Sequence, residues 1–130
     1  MTITATTATT AVQAVAEIDT IARGRTDIPV TELPARLRLA GPDGARIGHG
    51  LFTATGQWTE LHPNTYVVVR QSRVKTETLR RYVRSLEQGA DHATTVTDRA
   101  DDGRLWHLDG LHRLVAARLL GLTLTADIWR

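Results

Sequence analysis

The stretch Trp106–Gly121, which reads WHLDGLHRLVAARLLG, constrains the fold more than any other part of the chain. It predicts a strand that ends at Asp109-Gly110 and a helix that begins at once, from about Leu111 to Leu120. Gly121 is placed to end that helix. Its apolar stripe consists of Leu111, Leu114, Val115 and Leu119.

Size and composition narrow the class of protein. The chain has 130 residues, the usual size of one domain, and 42% hydrophobic and 23% charged residues, both ordinary for a globular protein. It has no cysteine, which excludes a disulfide scaffold, a thiol nucleophile, an iron–sulfur cluster and a cysteine-ligated zinc site. No apolar run has the length of a membrane span and the N-terminus does not read as a secretory signal, so we expect a cytoplasmic protein without a membrane partner.

The N-terminal part is predicted to be peripheral. Residues 1–26 are expected to form a flexible tail rich in Thr and Ala, followed by a short helix over Ala11–Ala22 that ends at Gly24. Residues 27–130 are expected to form a single domain.

The first half of that domain reads as β-rich. Arg36–Leu39 alternates with a period of two, Gly41–Gly44 is dense in turn residues, and a second strand is predicted around Arg46–Leu51. Together these segments predict a hairpin. Further on, Tyr66–Val69 is typical of a strand buried on both faces.

The second half has a clear order of elements. A helix is predicted from Thr76, its expected cap, to Leu86, with Gly89 just beyond its end. Asp101-Asp102-Gly103 predicts a hairpin between two β-prone runs, and the alternation over Leu122–Ile128 predicts a last strand. The order of β-rich segment, helix, hairpin, helix and strand favours a small α+β fold. The three tryptophans are expected to fill its core, namely Trp58, Trp106 and Trp129.

The start of the last helix is a candidate anion site. A helix N-terminus leaves backbone N–H groups unpaired and carries a partial positive charge. Gly110 permits close approach, and His112 and Arg113 add donors, which suits a phosphate group. The alternative is purely structural: Asp109 caps the helix, Gly110 makes the turn, and Arg113 is a solvated side chain. The residues alone leave both open.

The same stretch also carries a resemblance. Read in order, its residues are Asp109, Gly110, His112, Arg113, Leu114, Ala116, Ala117, Leu120 and Gly121. This order, DGxHRxxAAxxLG, is similar to the signature of the ParB/sulfiredoxin-like superfamily, in which a strand leads into such a turn and helix. The resemblance covers about Trp58–Trp129, whereas residues 1–57 have no clear counterpart.

The resemblance implies a small α+β domain of the ParB/sulfiredoxin-like type with a β-rich N-terminal extension. It also implies a nucleoside triphosphate, CTP or ATP, with Mg²⁺, whose phosphates would contact Gly110, Leu111, His112 and Arg113. Asp109 would shape the turn or lie near the metal-bound nucleotide. In this superfamily partition proteins bind CTP on DNA, sulfiredoxins use ATP, and free-serine kinases phosphorylate an amino acid.

Departures from the family limit these expectations. Leu111 stands where a sulfiredoxin needs its cysteine, so sulfiredoxin activity is excluded. Partition proteins continue into a helix-turn-helix, so a chain that ends at Arg130 is expected not to be a complete one. A Pro-Ile strand start, usual in the family, is replaced by Gly89–Val96, which leaves the contacts to the base and to a second substrate undefined.

Three hypotheses about function follow. The first is a stand-alone nucleotide-binding domain, regulatory or DNA-associated. The second is a phosphotransferase acting on a small hydroxyl substrate, with Asp109 or Glu60 as the catalytic group. The third is an inactive interaction domain. In the first, a nucleic acid or protein partner would touch the arginines of the earlier helix, Arg80, Arg81 and Arg84. A metal site of His107, His112 and Asp109 is weighed and not predicted.

Overall fold

The computed structural model of the chain describes residues 9–41, 46–48, 50–90 and 93–130. The helices within these residues are α1 (Ala11–Ala22), α2 (Thr76–Glu87) and α3 (Leu111–Leu120). The strands are β1 (Asp27–Pro29), β2 (Leu39–Ala40), β3 (Ala54–Leu61), β4 (Val67–Val69), β5 (Arg73–Lys75), β6 (Ala93–Thr97), β7 (Leu105–Asp109) and β8 (Leu124–Trp129). The α+β class predicted from the sequence is confirmed.

Six of the strands form one mixed sheet in the order β2-β4-β7-β6-β8-β3. β4 lies in parallel between β2 and β7, and its run of three buried valines is the predicted strand covered on both faces. β6 and β7 pair antiparallel as the predicted hairpin, and β8 runs parallel to β6. β1 and β5 form a separate antiparallel pair. The carboxyl ends of β4 and β7 therefore meet at one edge, where α3 begins.

The helices cover one face of this sheet. Val67 and Val69 belong to the main hydrophobic core, which contains residues from all the helices above. Val68, between them, packs instead with Trp106 and Ala100 on the opposite face, as the alternation of a strand requires. The opposite face thus has a much smaller apolar cluster than the helix face.

α1 is part of the main core. Ala14 and Ile18 are completely buried, and Ala22 is 1% exposed. The helix starts with a capping box in which Thr10 and Gln13 satisfy each other's backbone N–H groups. The tail predicted before it falls on residues 1–8, outside the described residues, and only Thr9 and Thr10 are described.

The segment expected to form an N-terminal hairpin has less strand than predicted. A 3₁₀ turn over Ala35–Leu37 replaces the predicted strand, because Pro34 fixes the backbone before it and Arg38 adopts a left-handed conformation with φ of 57°. β2 keeps two residues and pairs in parallel with β4. Most of the predicted turn, residues 42–45, lies outside the described residues. In place of the second strand, Ile47 makes an isolated bridge to Ala100.

Two smaller expectations are also corrected. Thr76 does not cap α2: Lys75 is the N-cap residue, and the Thr76 hydroxyl donates to the Thr26 carbonyl oxygen at 3.1 Å. Of the tryptophans, Trp106 is buried, whereas Trp58 is 57% exposed on the edge strand β3 and Trp129 is half-buried. Among the described residues, none of the helices has the length and apolar character needed to cross a membrane.

Candidate functional site

The turn between β7 and α3 depends on Gly110. Its φ of 90° is one that L side chains rarely adopt, and an added Cβ would lie 3.1 Å from the Thr94 hydroxyl. Gly110, not Asp109, is the N-cap residue, and its helix start receives no side-chain cap in the described part of the chain. The alternative in which Asp109 caps the helix is therefore wrong. Asp109 is exposed at the end of β7.

A buried hydrogen-bond network of Thr94 and His107 stabilises this turn. The Thr94 hydroxyl lies 2.6 Å from the Asp109 carbonyl oxygen and 2.7 Å from His107 Nε2. Because a carbonyl oxygen only accepts, the hydroxyl donates to it, and His107 Nε2–H donates to the hydroxyl. Burial lowers the pKa of His107 to about 4, so the ring is neutral at neutral pH. His107 is thus a support for the turn, a role that the sequence pattern did not indicate.

Arg113 reaches back over the turn. Its Nη1 donates to the Ala93 carbonyl oxygen at 3.1 Å, and its guanidinium lies 5.7 Å from the centre of the Tyr82 ring. Its Nε is buried without a hydrogen-bond partner. Among the described residues it forms no ion pair. The guanidinium is held in place and still has donors for a ligand.

His112 is already engaged on one side. Its Nε2 accepts the backbone N–H of Lys75 at 2.9 Å, and since Nε2 accepts, a neutral ring carries its proton on Nδ1. Burial, together with the charges of Lys75 and Arg81, lowers the pKa of His112. This bond fixes the start of α2 against the first turn of α3. Only the Nδ1–H of a neutral His112 remains as a donor to a ligand.

A cavity of about 230 Å³ lies between these two helix starts. Thr78 from the first turn of α2 lines one side, with Gln71 and Tyr82 beside it, and residues 109–113 line the other side. In α3 the first intrahelical bond runs from Leu114 N to the Gly110 carbonyl oxygen, so three earlier N–H groups have no intrahelical partner. At the α2 start the Lys75 N–H donates to His112 Nε2 and the Thr76 N–H donates to the Thr26 carbonyl oxygen at 3.0 Å, so these two groups have partners within the protein.

The other predicted site residues are placed elsewhere or used otherwise. Leu111 is 2% exposed with its side chain in the core, so it offers a ligand its backbone. Glu60 lies on β3, three strands from β7, or about 14 Å at the usual spacing. Arg80 pairs with Asp19 of α1 at 2.6 Å, whereas Arg81 and Arg84 are exposed. The structure therefore does not bring Glu60 to Asp109.

A larger cavity, of about 520 Å³, lies on the other side of the α2 start. Its arginines are neutralised by neighbours: Arg25 pairs with Glu32 at 2.6 Å, and Arg80 pairs with Asp19. It also contains the carboxylates of Asp27 and Glu77. Lys75 also lines it, and Asp27 pairs with Arg73 at 2.5 Å, so the charges around this cavity largely balance one another.

The fold and the site define an α+β domain with a polar cavity at the N-terminus of α3, beside the first turn of α2. Comparison with protein-family models, with curated proteins and with solved structures gives no match.

Proposed function

We propose that this chain binds the phosphate groups of a nucleotide in the cavity between the first turns of α2 and α3. The observation that carries the proposal is the N-terminus of α3, which has no side-chain cap and whose first residues line a cavity that also contains Arg113 and, from the first turn of α2, Thr78. Helix N-termini stabilise anions through their free N–H groups and the helix dipole.

The remaining helix, α1, provides an internal comparison. α1 has its capping box, and the backbone N–H of Ala11 donates to the Glu87 carboxylate. Its positive end is thus satisfied by a side chain of the same molecule. No such carboxylate caps α3 in the described residues, which favours an external anion there.

The side chains around the cavity suit a phosphate carried with a metal ion. Arg113 offers guanidinium donors, and Thr78 and Gln71 add polar groups. Asp109 would oppose a bare anion, but a single carboxylate together with phosphate oxygens is an ordinary way to hold Mg²⁺. The described residues contain no cluster of three or more metal-ligating side chains. Asp109 therefore fits an ion that arrives with the nucleotide, whose role would be to neutralise phosphate charge.

The resemblance to the ParB/sulfiredoxin-like superfamily supports the same ligand class. The structure gives less support to phosphoryl transfer, since Glu60 lies three strands away and the His112 ring nitrogen is engaged with Lys75. We therefore propose binding, in a regulatory or DNA-associated role, with Arg81 and Arg84 of α2 as exposed basic groups for a nucleic acid or protein partner.

The test measures binding of CTP, ATP and inorganic tripolyphosphate, each with Mg²⁺, by calorimetry and by thermal unfolding. A ligand at 100 times its Kd should add about 2.7 kcal/mol to the free energy of unfolding. Arg113→Ala should weaken binding about tenfold or more, because a charge-assisted contact is lost. Arg84→Ala removes the same charge from an exposed position and is the matched control.

Two results would overturn the proposal. One is the absence of binding by every polyphosphate in the wild-type protein. The other is an equal loss of affinity in Arg113→Ala and Arg84→Ala, because this would indicate attraction to net positive charge and not to a built site.

A further inference from the structure

A third cavity lies on the face of the sheet that the helices leave uncovered. It has a volume of about 330 Å³, within the usual size of small-molecule sites. It is lined by Phe52, Arg70, Thr95, Leu108, Asp109 and Trp129. Its position follows from strand alternation, because Leu108 lies two residues after Trp106 and Arg70 two residues after Val68, both in the small cluster of that face.

Its aromatic walls are fixed by their neighbours. The Arg99 guanidinium lies 4.5 Å from the centre of the Phe52 ring, and Trp129 Nε1 donates to Asp127 Oδ2 at 3.1 Å. Phe52 is the only phenylalanine in the chain. Rings held in this way lose little conformational freedom when a flat ligand packs on them.

The cavity also has a polar edge. Arg70 donates to the Leu108 carbonyl oxygen at 3.0 Å, which anchors its guanidinium beside the cavity. Thr95 adds a hydroxyl, and Asp109 adds a carboxylate. Apolar rings with a few hydrogen-bonding groups at one side suit a flat heteroaromatic ring better than an aliphatic chain.

Asp109 joins this cavity to the proposed phosphate site. The residue lines both cavities, one on the helix face of the sheet and one on the open face. A ligand with an anionic end and a flat aromatic end could therefore occupy both by passing over the end of β7. A nucleotide has these two ends.

We propose that the Phe52–Trp129 cavity binds the base of the nucleotide whose phosphates lie between α2 and α3. This inference rests on the proposed function, which concerns the phosphate groups alone, and it adds a binding site for the base. It assigns base binding to Phe52, in the segment without a family counterpart, and to Trp129 at the end of β8.

The experiment compares ligands that share three phosphates and differ in the base: CTP, ATP, GTP, UTP and inorganic tripolyphosphate, each with Mg²⁺. Affinities are measured for the wild-type protein, Phe52→Ala and Trp129→Ala, with Trp58→Ala as the control for loss of an exposed ring. In either cavity variant we expect at least one nucleotide to bind about tenfold more weakly, as for loss of a base–aromatic stack, with unchanged affinity for tripolyphosphate.

A spectroscopic measurement covers the case in which a cavity variant does not fold. In a Trp58→Phe background, the remaining tryptophans are Trp106, which is buried, and Trp129. The nucleotide that binds tightly should change the emission at saturation, and tripolyphosphate should not.

The outcomes separate the two proposals. If tripolyphosphate binds as tightly as every nucleotide and the emission does not respond to the base, the base site is overturned and the phosphate site stands. If neither tripolyphosphate nor any nucleotide binds, both are overturned. If nucleotides bind more tightly than tripolyphosphate but Phe52→Ala and Trp58→Ala behave alike, the base lies elsewhere and this inference fails.

Discussion

The two ends of α3 use the same residue types in opposite ways. At the start, Gly110 precedes the helix and Arg113 lies in its first turn, beside a cavity. At the end, Gly121 follows the helix and Arg118 lies in its last turn, 3% exposed. Arg118 Nη1 donates to the Leu37 carbonyl oxygen at 2.6 Å, and Nη2 donates to the Thr65 carbonyl oxygen at 2.7 Å.

The difference teaches how to separate a structural arginine from a binding one. Arg118 is a buried cation whose donors are used by two loop carbonyls, so it ties those segments to the helix. Burial lowers its pKa to about 10, which still leaves it charged at neutral pH. Arg113 makes one such bond, its Nε is buried without a partner, and the residue lines a cavity. The two arginines therefore differ in how many hydrogen bonds their guanidinium groups donate to the protein itself, and not in their position on the helix.

The largest expected effect is a loss of stability on substitution of Arg118, at the end of α3. Arg118→Ala leaves two carbonyl oxygens without their charged donor, so the free energy of unfolding should fall by about 3–4 kcal/mol. Arg113→Ala removes one backbone bond and should cost about 1 kcal/mol or less. Urea unfolding of both variants at neutral pH measures the difference.

Arg118→Lys provides the graded control, because an ammonium keeps the charge but lacks the fork that reaches both carbonyls. It should lie between the wild-type protein and Arg118→Ala. If Arg113→Ala were as destabilising as Arg118→Ala, the contrast between the two ends would be broken and Arg113 would be a structural residue.

The second effect concerns pH and belongs to the start of α3 alone. His107 has a pKa of about 4 in the folded protein, against an ordinary 6.5. Between these values the unfolded chain binds the extra proton, so stability is complete above about pH 6.5 and is lost as the pH falls toward 4. The shift corresponds to about 3 kcal/mol, to order of magnitude.

His107→Gln isolates this contribution, because an amide can still donate to Thr94 but does not titrate. The other titrating groups are the same in both proteins, so the difference between their unfolding free energies should shrink or reverse sign as the pH falls from about 7 to about 4.5. Parallel pH profiles for the wild-type protein and His107→Gln would show that His107 is not buried as a neutral group.

The sequence predicted much of this helix and little of its support. The glycines at both ends and the apolar stripe define α3, and the residues that flank Asp101–Gly103 define the hairpin before it. The interpretation of Gly110 and Arg113 as phosphate-binding residues stays a prediction. Both residues line a cavity in the structure. Thr94 and His107 carry no local pattern, since their network depends on the pairing of β6 with β7.

In the N-terminal half, a clear local pattern led to a wrong prediction. Arg36–Leu39 alternates like a strand, but the alternation is overridden by Pro34 and by the left-handed Arg38, and Leu37 alone is buried in the core there. Glu60 could be named only because it is acidic, and its distance from Asp109 depends on the strand order. Strand order across a mixed sheet is set by contacts distant in sequence, which a local pattern does not encode.

The smallest expected effect compares the two flanking glycines. Both have a positive φ, 90° at Gly110 and 73° at Gly121, so an alanine at either position should cost about 1 kcal/mol in backbone strain. At Gly121 an added Cβ meets nothing within 4 Å, whereas at Gly110 it meets the Thr94 hydroxyl at 3.1 Å. That hydroxyl cannot retreat without lengthening its bonds to His107 and Asp109. Gly110→Ala should therefore cost about 1 kcal/mol more than Gly121→Ala in urea unfolding.

A double variant assigns that excess to the contact. Thr94→Ala removes the hydroxyl, and in this background Gly110→Ala should cost only as much as Gly121→Ala costs in the wild-type protein. If the excess persisted without the hydroxyl, it would come from backbone strain at Gly110 alone. The two ends of α3 would then differ in their turn geometry, and the Thr94 network would hold Asp109 without restricting Gly110.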